Sequence, residues 1–122
     1  MTEFPMNAHS VAAARRFVGQ AIGHCDPGTI DVARLLTSEL ATNALVHARS
    51  AFEVIASEHD GTVHVEVRDG CATPPERVSV KRTDEHGRGI KLLGALSTEW
   101  GVVDNPDGKT VWFDLRCRGH EC

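Results

Sequence analysis

Tyrosine is absent from this 122-residue chain, and the other aromatics amount to two Trp and four Phe. So sparse a set leaves no platform on which nucleic-acid bases would stack. Basic charge is thin as well: 13 Lys and Arg stand against 17 Asp and Glu, for a formal net charge of −4. The densest basic pairs, Arg15-Arg16 and Lys81-Arg82, are isolated, whereas a DNA binder needs a basic stripe to displace counterions. Direct nucleic-acid contact is not expected. No apolar run approaches the roughly 20 residues that span a bilayer. Residues 1–7 have neither the basic nor the apolar region of an export signal. A membrane role is not expected either, and the cytoplasm is the expected compartment.

Cys-x-x-Cys pairs, internal repeats and low-complexity tracts are also missing. The four cysteines are Cys25, Cys71, Cys117 and Cys122. A domain of this size without an export signal does not need disulfides, so free thiols are expected. Cys117, His120 and Cys122 make a C-x-x-H-x-C cluster in the tail, 117–122. A structural zinc site asks for four fixed ligands, so thiols in a frayed terminus are the simpler expectation.

What is present is an ordinary globular composition, 41% hydrophobic and 25% charged. The length favours one domain over 1–122. A short extended segment is expected around Phe4. Ser10 is a candidate N-cap for a first helix, in which Val11, Ala14, Phe17, Val18, Ala21 and Ile22 recur at helical spacing. That helix is expected to stop near Gly23–Cys25, with Asp26-Pro27-Gly28 as punctuation. Thr29 is the candidate cap of a second helix, striped by Ile30, Ala33, Leu36, Leu40 and Ala44 and running to about Ala48.

Residues 52–57 and 62–69 read as strands around the hairpin signal Asp60-Gly61. Val63, Val65 and Val67 alternate with His64, Glu66 and Arg68, which marks one buried face and one polar one. Periodicity vanishes over 70–86, a length that in a compact domain usually serves function. Gly87-Arg88-Gly89 then opens a third helix, and strands at about 99–104 and 110–116 flank the turn Asn105-Pro106-Asp107-Gly108. The order predicts an α+β fold: a two-layer sandwich of about three helices on one mixed, mainly antiparallel sheet.

Glu39, Asn43 and His47 fall at i, i+4 and i+8 of the second helix. They therefore stack along about 12 Å of one face, beside the apolar stripe. Such a row is commonly just a solvated face. Asp69, followed by Gly70 at the end of a valine-rich strand, is placed to accept a hydrogen bond from a ligand amine; a turn or cap role is the plainer one. Gly87 and Gly89 at a helix start let backbone N–H groups approach an anion, although two glycines alone are a weak signal. Gly108-Lys109-Thr110 imitates the end of a Walker A loop, but position 103 is Val and a strand follows where that loop needs a helix.

In combination and in order, these elements resemble the Bergerat-fold (GHKL) ATPases, most closely the small anti-sigma-factor-like serine/threonine kinases. Residues 36–48, LTSELATNALVHA, resemble the family's N box; Asp69-Gly70 its adenine box; Gly87-Arg88-Gly89-Ile90 its glycine box; and Gly108–Phe113 its closing G-x-T-x-x-F strand. The similarity runs from about residue 4 to 116. It implies that Asn43 supplies an oxygen to Mg²⁺ bound with ATP, and that Glu39 acts as base toward the nucleophile. Asp69 would accept from the adenine amine, with Gly70 beside it and Thr110 supporting that end. Gly87, Gly89 and Ile90 would present the phosphate-binding turn and Arg88 a charge partner, with residues 70–86 as lid. His47 stands where the family often has a histidine.

The adenine box usually reads D-x-G, whereas this chain has Asp69-Gly70-Cys71. The chain is also too short to hold the phosphoacceptor and dimerisation domains of a full sensor kinase. The resemblance implies an ATP-binding regulator that holds a sigma factor and phosphorylates Ser or Thr of an antagonist protein, with homodimerisation open. The alternative is a non-catalytic ATP-sensing module that binds protein partners.

Overall fold

The computed structural model describes residues 2–70, 91–106 and 108–117. Residues 71–86, expected as a lid and including Cys71, all of Gly87-Arg88-Gly89-Ile90, His120 and Cys122 lie outside the described residues, as does the side chain of His47. The elements run β1 (Thr2–Phe4), α1 (His9–Ala21), α2 (Pro27–Asn43), a π-helical turn (Ala44–Ala48), β2 (Phe52–His59) and β3 (Thr62–Asp69). A third helix, α3, covers 91–96. It is followed by β4 (Glu99–Asn105) and β5 (Gly108–Arg116). No described helix is long and apolar enough to cross a membrane.

The strands form one sheet in the order β1-β2-β3-β5-β4, with every pairing antiparallel. The expected α+β sandwich is therefore present, its sheet wholly antiparallel among the described strands. Asp60 and Gly61 both take positive φ, 54° and 81°, as a two-residue hairpin turn twisted to match its strands requires. The alternation along β3 works as expected: Val63, Val65 and Val67 are buried, whereas His64 and Glu66 are only partly so. With Phe52, Val54, Val111 and Phe113 they make the sheet's inner face. Val18 of α1, Ile22 just after it, and Leu36 and Leu40 of α2 belong to the same core. Each such side chain contributes about 1.5–3 kcal/mol by leaving water.

Two helix starts differ from expectation. Ser10 is not the cap of α1: the helix begins at His9, whose N–H donates to Asn7 Oδ1 at 2.8 Å, and the Ser10 hydroxyl instead donates to Pro5 O at 2.7 Å. Thr29 is not the cap of α2. Asp26 is, accepting the Thr29 N–H at 3.1 Å, with Pro27 in the first turn where a missing N–H costs nothing. What reads in sequence as a stop for α1 is the start of α2. The Thr29 hydroxyl lies within reach of both Asp26 Oδ1, 2.7 Å, and Arg116 O, 3.2 Å, so the cap adjoins the end of β5.

The expectation of free thiols is corrected at the same place. Cys25 and Cys117 are disulfide-bonded, with Cα atoms 5.4 Å apart, and lie 92 positions apart in sequence. Both are buried, so Cys117 is no frayed-tail thiol. The start of α2 and the end of β5 meet here because the cap contacts hold them together, and the Cys117 N–H donates to Gly61 O at 2.7 Å.

Candidate nucleotide site

Helix α2 carries Glu39 and Asn43 one turn apart, both half-buried. Asn43 is the last α-helical residue. From Ala44 the helix widens into a π turn, closed by Arg49 N–H to Ala44 O at 2.8 Å, and Arg49 then leaves in the left-handed conformation at φ 53°. Single π turns recur at functional sites because they redirect the side chains of one turn. The backbone of His47 lies within this turn. Asn43 and Glu39 offer hard oxygen donors on one half-buried face. That donor set fits Mg²⁺, which keeps most of its waters and takes one or two protein oxygens.

Asp69 ends β3 on the sheet's inner face, directly opposite Phe52 on one side and Lys109 on the other. The chain leaving the π turn reaches the same end of the sheet: Gly70 N–H donates to Ser50 Oγ at 3.4 Å, one residue beyond Arg49. The end of the Glu39–Asn43 helix and the Asp69-Gly70 corner are thus joined. Gly108 backs that corner with φ 152°, and a Cβ there would meet the Asp69 carbonyl oxygen and lie 3.0 Å from its carbon. Only glycine allows β5 to begin so close to Asp69.

Thr110, also on β5, points to the other face of the sheet yet lines one cleft with Asp69 and Gly70. It pairs with Arg68, and by strand alternation it occupies the outer face, buried at 9% exposure. A cleft of about 540 Å³ opens there, lined by Ser50, Asp69, Gly70, Gly108 and Thr110 together with Glu3, Glu53 and Arg68. The β5 residue sharing Asp69's row and face is Lys109, which sequence reasoning passed over once the Walker resemblance was set aside. Counting back by twos from the buried Val111 and Phe113 would have found it.

Farther along the outer face, His64 lies between two carboxylates: Nδ1 is 2.6 Å from Asp114 Oδ1 and Nε2 is 2.9 Å from Glu66 Oε2. Arg68 holds the other oxygen of Glu66 through Nε and Nη2, at 3.1 and 2.9 Å. Burial by itself would lower the His64 pKa. The hydrogen bonds to Glu66 and Asp114, reinforced by their charges, outweigh it and raise the pKa above 6.5. Burial likewise pushes Glu66 up, but its bonds to His64 and Arg68 and their charges bring it below 4.5. This network reads as a brace across β3 and β5, with Arg68 at the cleft.

The histidine kinase-like ATPase domain family matches residues 4–115. No curated protein matches the sequence significantly. Among solved structures, the histidine kinase domain of the blue-light activated histidine kinase from Erythrobacter litoralis is 22% identical, with TM-score 0.60. The match covers 93% of this chain but only 61% of that domain. The longer structure of the same kinase gives TM-score 0.63 at 22% identity, covering 93% of this chain and 42% of that one. The catalytic domain of the histidine kinase ThkA, in a nucleotide-free form, is 13% identical with TM-score 0.57, covering 98% of each chain. These likenesses show the fold. The family match, over nearly the whole length, shows that the chain belongs to the histidine kinase-like ATPase domain family, an ATP-binding group.

Proposed function

We propose that the protein is an ATP-binding regulator of the anti-sigma type, which binds Mg-ATP and phosphorylates Ser or Thr of an antagonist protein. The observation that carries this reading is the Glu39–Asn43 pair at the α-to-π junction, joined through Ser50 to the Asp69-Gly70 corner. Asn43 would hold Mg²⁺ through its carboxamide oxygen. When bound, that ion offsets the negative charge of the phosphates. Asp69 would accept a hydrogen bond from the adenine amine, a contact that favours adenine over guanine. Glu39, one turn before Asn43, would take the proton of the attacking hydroxyl. Thr110, Gly87, Gly89, Ile90 and Arg88 complete the proposed set, with His47 adjoining it. The sigma factor and its antagonist are the partners this reading implies.

Calorimetric titration with ATP and Mg²⁺ tests the binding half. Saturable binding to the folded protein is expected, weakened by Asn43→Ala and by Asp69→Ala; unchanged affinity in both variants would remove the site. Glu39→Ala tests the chemistry. It should abolish phosphoryl transfer to a hydroxyl-bearing partner while leaving ATP affinity nearly intact. If the wild type binds ATP and transfers nothing, the protein is an ATP-sensing module.

A further inference from the structure

The end of the molecule opposite Asp69 holds a second concentration of chemistry, separate from the nucleotide residues. His24 and Cys25 precede α2, Cys117 follows β5, and Glu58 stands near the hairpin turn. Helix α2, with 17 residues, puts roughly 25 Å between this cluster and Asn43. One donor atom from each of His24, Cys25 and Cys117 lies within 4.8 Å of the other two. His24 Nε2 is 3.9 Å from Cys25 Sγ and 3.3 Å from Glu58 Oε1.

We propose that His24, Cys25 and Cys117 form a zinc-class metal site whenever the disulfide is reduced, with Glu58 or a water as fourth ligand. Tetrahedral zinc binds sulfur at about 2.3 Å and nitrogen at about 2.0 Å, so its ligand atoms stand roughly 3.3–3.8 Å apart. The His24–Cys25 and His24–Glu58 spacings are already of that size. The two sulfurs are the pair that must separate, and reduction separates them. His24 has 52% of its side chain exposed, so an ion has a path in from solvent. The sulfurs behind it are buried, which shields the metal–thiolate bonds. Two soft thiolates and an imidazole select zinc over Mg²⁺, the ion that suits the oxygen donors at Asn43. Cytosolic thiols are kept reduced, so in a reducing compartment the metal-ready form is the one to expect.

The electron count closes with named reagents. A phosphine reductant and one water give the phosphine oxide and two thiols, the electron pair from phosphorus breaking the S–S bond. Metal binding then releases the two thiol protons. In reverse, hydrogen peroxide takes two electrons from the bound thiolates. The S–S bond reforms, the ion is released, and peroxide leaves as two hydroxides. Disulfide and metal are therefore mutually exclusive occupants of one place.

The test uses the full chain with Cys71→Ser and Cys122→Ser, so that no other thiol competes. The phosphine-reduced protein is titrated with Co²⁺ and then Zn²⁺. One equivalent of Co²⁺ should give thiolate-to-cobalt absorption that Zn²⁺ abolishes. Peroxide should release the metal, and the oxidised protein should bind none. His24→Ala, an exposed substitution that leaves the disulfide able to form, should weaken binding at least about tenfold. Zn²⁺ should raise the melting temperature of the reduced protein and not of the oxidised one. The proposal fails if the reduced protein takes up no stoichiometric metal, or if His24→Ala or the oxidised protein binds as tightly. It also fails if the reduced chain loses its fold and Zn²⁺ does not restore it.

Discussion

Asp69 and Lys109 stand directly opposite one another across β3 and β5, on the sheet face that also carries the buried valines of the core. Thr110, next along β5, pairs with Arg68 and lies on the other face. If Asp69 meets a nucleotide from the helix side of the sheet, Lys109 is the β5 residue that shares its surroundings. An opposite-charge pair directly across two strands contributes roughly 0.2–1 kcal/mol. Lys109→Ala should therefore weaken ATP binding several-fold, whereas Thr110→Ala should change it less. Calorimetry on the two variants decides the matter. A larger loss from Thr110→Ala would show that the nucleotide reaches the outer face.

Gly108 makes the same corner possible. Its φ of 152° suits glycine, and any Cβ would press on the Asp69 carbonyl and approach Gly70 Cα to 3.1 Å. Both neighbours are backbone atoms that cannot swing aside. Gly108→Ala should cost about 1–3 kcal/mol of stability, in the manner of an overpacked site. It should also lower ATP affinity by displacing Asp69. Denaturant unfolding and calorimetry measure the two effects, and a variant of wild-type stability would show that β5 yields easily there.

The features legible in sequence were those written locally. Asp60-Gly61 announced its hairpin because the turn needs two positive φ values and that residue pair supplies them cheaply. Glu39 and Asn43 fell on one face because helical period alone puts them there. Strand parity between Lys109 and Thr110 was different, since it depends on which of them opposes Asp69, a fact of pairing rather than of β5's own residues. Cys25 and Cys117, 92 positions apart, meet only through the tertiary fold. Asp26-Pro27 is a helix stop and a helix start in the same letters, and packing chose the start. The π turn over ALVHA has no local signature at all.

Thr37 carries a misfit inside the core. It is 0% exposed between the buried Leu36 and Leu40 turns of α2, and its Oγ1 has no hydrogen-bond partner among the described residues. A buried hydroxyl without a partner costs about 1–3 kcal/mol, so an apolar side chain of the same shape should be tolerated or preferred. Thr37→Val is expected to raise stability by up to about 1 kcal/mol, a shift of a few degrees in melting temperature for a domain of this size. A clear loss of stability on thermal unfolding would mean that the hydroxyl is satisfied in solution.

The brace on the outer face should make stability depend on pH in a direction fixed by its two perturbed groups. Both ring nitrogens of His64 face carboxylates, so the imidazolium donates twice where the neutral ring donates once. The His64 pKa is raised above 6.5 by those bonds against the pull of burial. Its contribution is thus fully present below pH 6.5 and fades as pH climbs through the raised folded value. The Glu66 pKa is lowered below 4.5 by His64 and Arg68 against the same pull. Its contribution is present above 4.5 and fades as pH falls through the lowered value. Between 4.5 and 6.5 both are in force. His64 has 34% of its side chain exposed, and solvent screening keeps such a pair to roughly 1 kcal/mol or less. Melting curves of the wild type and His64→Gln should therefore differ most near pH 5.5, with the gap narrowing as pH rises above 6.5. A gap that instead widens with rising pH would mean that neutral His64 is the form the fold prefers.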